Sequence, residues 1–198
     1  MSPFSAYLSL GFEHISDIQG YDHMLFIITL CAVYQLREWK KILVLVTAFT
    51  IGHSVTLAMS ALDIIRINAD VVELLIPVTI LLTSIYNITQ KDKEDHPVFS
   101  KAVSGNYILA LCFGFIHGMG FSNYFRALLG ELESIVLPLF AFNIGLEIGQ
   151  ILIVVCFFAV YWVLSRFFTI RHRDWNLFIS GAGAGVSAIM ILEKVLAM

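Results

Sequence analysis

Charge is scarce in this sequence. Of 198 residues, 12 are Lys or Arg and 15 are Asp or Glu, so 14% are charged, against roughly 25% in soluble domains. The 12 basic residues are scattered and the net charge is only -3, so no basic patch is available and a nucleic-acid partner is excluded. Cysteine is equally sparse. Cys31, Cys112 and Cys156 lie singly in apolar runs without Cys-x-x-Cys spacing, and read as small buried hydrophobes. Neither low-complexity tracts nor internal repeats of about 20 to 50 residues occur. A cleavable leader is not expected, because Met1-Ser2-Pro3-Phe4 lacks a basic region and acidic residues follow early in the apolar stretch.

What is abundant is hydrocarbon. With 59% hydrophobic residues and a mean hydropathy of +0.85, the chain reads as an all-α polytopic membrane helix bundle, one transmembrane domain over residues 1–198. A crossing needs about 20 mostly apolar residues, which predicts about six spans. They run from Gly20 to Leu36, Ile42 to Leu62, Val71 to Ile88, Ser104 to Phe121, Ile135 to Leu164 and Trp175 to Leu196. Phe4 to Ile18 is expected as an additional short helix, interfacial or re-entrant, with Gly20 as the break. Arg37, Lys40, Lys41, Lys91, Lys93, Lys101, Arg166, Arg171 and Arg173 fall in loops on one side, and Arg66, Arg126 and Lys194 on the other. The positive-inside rule then puts both termini outside the cytoplasm. The loop Gln90 to Ser100 is expected to be solvated, with His96 exposed. Small residues four apart, Gly114 with Gly118, Gly145 with Gly149 and Gly181 with Gly185, read as helix-packing seams, open also to a second copy of the chain in a homo-oligomer.

Against that background the stretch from Gly11 to Phe26 stands out. It holds Glu13, His14, Asp17, Asp22 and His23. Imidazole suits nickel, copper and zinc, and carboxylates neutralise the charge of a divalent ion. Ionisable groups inside a bilayer cost several kcal/mol unless paired, hydrated or metal-bound. Further ones follow: His53 shares a helix face with Thr47, Thr50 and Ser54; His117 is set among Gly114, Gly118 and Gly120; Glu147 shares a face with Asn143 and Gln150. Glu73 is a weaker candidate near a span end. With the predicted orientation, Asp22, His23, His53, His117 and Glu147 come to one depth in the outer half of the bundle, an arrangement that suits a metal ion.

The elements Gly20-Tyr21-Asp22-His23, Phe49-Thr50-Ile51-Gly52-His53-Ser54, His117-Gly118 and Phe142-Asn143-Ile144-Gly145-Leu146-Glu147 resemble the HupE/UreJ family of hydrogenase and urease accessory membrane proteins, regarded as nickel permeases. The resemblance extends over nearly the whole chain. It implies metal binding by His14, Asp22 and His23, with His117 and Glu147 as further ligands, and a place in a bacterial inner membrane. Seven residues separate His14 from Asp22, more than is usual in the hydrogenase-linked members, so either His14 or Asp17 completes the set.

Two functions of different kinds follow. One is a permease for Ni²⁺, with Co²⁺ or Zn²⁺ as related cargo, working from the extracytoplasmic side. The other is an intramembrane zinc-dependent hydrolase, in which the metal lowers the pKa of a bound water to about 7 and Asp17, Asp22 or Glu147 serves as base. The inner half offers Thr83, Ser84, Asn87, Ser104 and Asn106 but no carboxylate or imidazole relay. A non-catalytic metal sensor or assembly subunit is a third, weaker reading.

Overall fold

A computed structural model describes residues 2–65, 68–90, 98, 101–129 and 134–197. Arg66 and most of the loop from Gln90 to Ser100, His96 included, lie outside the described residues. Seven α-helices follow in order, and among the described residues there is no strand. They are α1 (Pro3–Ser16), α2 (Asp22–Cys31), α3 (Trp39–Ala61), α4 (Ala69–Thr89), α5 (Lys101–Leu129), α6 (Val136–Phe167) and α7 (His172–Ala197). Helices α3 to α7 are each long and apolar enough to cross a bilayer. They make the chain an integral membrane protein.

The first expected span, Gly20 to Leu36, differs from what is found. Helix α2 has 10 residues, about 15 Å at 1.5 Å per residue, which is half a hydrocarbon core. Apolar side chains continue beyond Cys31, but the backbone tightens into turns there, Ala32 N–H bonding Thr29 O at 3.2 Å and Tyr34 N–H bonding Cys31 O at 3.0 Å. Hydropathy registers the side chains and is blind to those turns.

Helix α1 starts where Ser2 Oγ accepts the Ser5 amide at 3.2 Å, with Pro3 in the first turn where its missing N–H costs nothing. It packs against α6 through two glycines. A Cβ on Gly11 would stand 2.0 Å from the carbonyl oxygen of Phe142, and one on Gly145 would stand 2.0 Å from that of Leu8. The backbones therefore touch, as they do between α3 and α5 at Gly52, Gly114 and Gly118. Two of the three expected glycine seams are thus used within the chain. The third is not: Gly181 and Gly185 meet nothing within 4 Å. Gly145→Ala should accordingly destabilise the fold by about 1–3 kcal/mol, the usual cost of overpacking. Gly181→Ala should leave stability level or higher, since alanine is the better helix former; thermal unfolding of both variants in detergent checks the pair.

Contacts set the helix directions. Leu8 lies beside Gly145 while Phe12 and Ile15 lie beside Gly149, so α1 and α6 run parallel. Helices α3 and α5 also run parallel, from Phe49 beside Gly114 to the Asp63–Arg126 ion pair at 2.8 Å. Helices α4 and α7 run antiparallel, joined at one end by Asn176 Nδ2 donating to Asn87 O at 3.0 Å and at the other by the Glu73–Lys194 ion pair. Helix α2 follows α4, with Asp22 in a cavity beside Pro77 and Asn87 Nδ2 donating to Thr29 O at 2.7 Å. Polar groups thus tie these helices together; Asn106 Nδ2 likewise donates to Tyr34 Oη at 2.6 Å. Cys31 is buried as expected, whereas Cys112 and Cys156 lie on the outside of the bundle.

Candidate metal centre

Three short pieces of backbone geometry bring the imidazoles together. Helix α1 ends two residues after His14, and α2 begins one residue before His23. The turn 17–21 therefore folds both rings toward the middle of α3, where His53 sits. Ring centroids are 4.6 Å apart for His14 and His23, 5.6 Å for His14 and His53, and 6.3 Å for His23 and His53. One ligand atom from each lies within 4.8 Å of the other two. His117 of α5 adjoins, its ring 4.9 Å from that of His23.

The hydrogen bonding is as informative as the distances. His14 Nε2, His23 Nε2, both ring nitrogens of His53 and His117 Nδ1 are buried without a hydrogen-bond partner. Leaving one such group unsatisfied costs about 1–3 kcal/mol, and five at one place are far outside the norm for a packed core. The nitrogens that do have partners show which way the others face. Asp22 Oδ1 lies 2.9 Å from His23 Nδ1 and also accepts the His23 amide at 2.8 Å. The carboxylate takes the proton-bearing side of the ring, leaving the Nε2 lone pair directed at the cluster. Thr79 Oγ1 donates to Ile76 O at 2.7 Å and lies 3.4 Å from His117 Nε2. The hydroxyl thus offers His117 a lone pair, and Nδ1 is the nitrogen left free.

Aromatic rings close the surroundings. Phe121 lies 3.9 Å from His14, and Phe142 stacks on His53 at 6.0 Å. Phe26 and Phe49 lie 5.1 and 5.3 Å from His117. These apolar walls offer an entering ion no ligand of their own.

Of the residues expected from sequence, His14, His23 and His53 form the group, and His117 and Asp22 flank it. Asp17 does not enter it; its Oδ1 accepts the Gln19 amide at 2.9 Å in the exposed turn after α1. Glu147 is also outside the group: its Oε1 accepts from Thr47 Oγ1 at 2.6 Å on the seam between α3 and α6. Thr50 Oγ1 makes the same kind of contact to Gln150 Oε1 at 2.8 Å. Glu73 is held by Lys194 near the ends of α4 and α7. Sequence reasoning missed Thr79 as the partner of His117. Its one trace was a hydroxyl six residues after Glu73 in an apolar span.

Fold and site together define a polytopic helical membrane protein with a buried imidazole cluster suited to a transition-metal ion. The chain belongs to the HupE / UreJ protein family, whose model matches residues 1–194. Comparison with curated proteins and with solved structures found no match. Membership and cluster together tie the chain to metal handling in the membrane, in a transport-related role.

Proposed function

We propose that this protein binds Ni²⁺ at His14, His23 and His53, with His117 as an adjoining fourth imidazole, and carries it across a bacterial inner membrane. The observation that carries this reading is the set of five buried, unpartnered ring nitrogens. An imidazole donor set without thiolate suits Ni²⁺, Co²⁺ and Zn²⁺ alike; the choice of nickel follows the family. Asp22 acts from behind His23 as the group that orients it. A hydrolase is less well supported, because the group of atoms within 4.8 Å includes no carboxylate free to serve as base.

Helix directions support six crossings. Successive long helices alternate in direction, so α4 and α6 point the same way, and α1 and α2, parallel to them, share that direction. The two short helices then make one crossing interrupted at residues 17–21, beside the cluster, as in transporters whose broken helices open at the site. Both termini lie on the extracytoplasmic side in this arrangement, consistent with the bias of basic residues.

Protons compete with metal for imidazole nitrogen, so Ni²⁺ affinity should fall as pH is lowered. Because three or four rings share the ion, the fall should be steeper than for one. Calorimetric titration of the purified protein from mildly alkaline to distinctly acidic pH, as far as the fold persists, measures this. A flat profile would speak against histidine ligands.

A further inference from the structure

Two cavities flank the turn that joins α1 to α2, and they differ in what they offer a cation. One, of about 750 Å³, lies between the end of α1 and α5 and is lined by Glu13, His14, Asp17, Phe121 and Tyr124. The other, of about 370 Å³, lies between the turn, α4 and α7 and is lined by Asp22, Glu73, Glu193 and Lys194. In the smaller cavity two of the three carboxylates are already engaged. Asp22 is bonded to His23 by ring and backbone, Glu73 is paired with Lys194, and that ammonium repels a dication.

In the larger cavity the carboxylates make neutral hydrogen bonds. Glu13 Oε1 accepts from Ser9 Oγ at 2.9 Å and Asp17 Oδ1 from the Gln19 amide at 2.9 Å. Among the described residues no Lys or Arg lines this cavity. Both acids are exposed, and exposed carboxylates are not left facing hydrocarbon, so the opening is wet. At its floor is His14, which belongs to the cavity and to the cluster at once. Phe121, also in the lining, lies against that ring.

We propose that a hydrated divalent cation is loaded through the α1–α5 cavity, Glu13 and Asp17 collecting it and His14 being the first imidazole to take it. Collection needs attraction at a distance and weak, exchangeable contact, which oxygen donors in water supply. Binding needs the ion to shed that water, which nitrogen donors in place of it allow. The proposal rests on the metal reading of the cluster and adds the path by which the ion reaches it.

The test uses Co²⁺, mixed rapidly with the full chain in detergent and followed by its visible absorption, in two double variants that remove equal charge from either side. Glu13→Gln with Asp17→Asn keeps both hydrogen-bond acceptors. It should slow association about tenfold at low ionic strength and flatten its salt dependence, as loss of steering does. The spectrum of the bound ion should not change. Glu73→Gln with Glu193→Gln should stay within about twofold of the unaltered rate, being off the steering path. An unchanged rate in the first pair, a larger loss in the second, or an altered spectrum in the first would each overturn the loading route. Failure of the unaltered protein to bind Co²⁺ would overturn the metal reading along with it.

Discussion

His53→Ala is expected to lower Ni²⁺ affinity by at least about 100-fold, the upper end of what loss of a mere supporting group costs. Both ring nitrogens of His53 are buried without partners, and the side chain is 0% exposed. A histidine kept for structure would have its nitrogens satisfied, and its removal would cost stability while leaving metal binding alone. Here the opposite pattern is expected. Alanine forfeits ring contacts with Phe49 and Phe142, but it also removes two orphaned polar atoms, so the metal-free fold should survive. Titration with Ni²⁺, alongside size exclusion to confirm folding, separates the two. A folded variant with undiminished affinity would remove His53 from the centre.

Asp22→Asn is the second large effect, expected to weaken Ni²⁺ binding by about 10 to 100-fold without touching a ligand atom. The carboxylate accepts from both the ring and the amide of His23. An amide of the same shape presents N–H as readily as oxygen, so the ring loses its fixed tautomer and the Nε2 lone pair is no longer assured. Because the effect passes through His23, the double variant Asp22→Asn with His23→Ala should bind no worse than His23→Ala alone. Additive losses by titration would instead make Asp22 a ligand in its own right.

The class of the protein was legible in its hydropathy, and the histidines in their rarity within apolar runs. The family was legible in motifs such as Phe49 to Ser54. The break between α1 and α2 was legible in Gly20, but the early end of α2 was not. Residues 17–21 break the helix and residues 32–35 turn it, yet only Gly20 marks the first break and no glycine or proline marks the second. Nor was the direction of each polar face. Spacing correctly put Asn143, Glu147 and Gln150 on one side of α6, but Thr47 and Thr50 claim two of them, and that pairing depends on how α3 and α6 approach each other. Which of His14 and Asp17 lies beside His53 turns on where α1 stops. Ending at Ser16, the helix keeps His14 on its last turn against the bundle and leaves Asp17 in the turn, outside. Glycine spacing alone could not separate Gly145, which touches a backbone, from Gly181, which touches nothing.

The central claim is that the imidazole cluster is the place through which metal crosses. Uptake of Ni²⁺ into sealed proteoliposomes, measured side by side for the unaltered chain and His53→Ala at equal insertion, tests it most directly. Saturable uptake is expected for the unaltered chain and none above background for the variant. Equal uptake by both, or none by either, would contradict it.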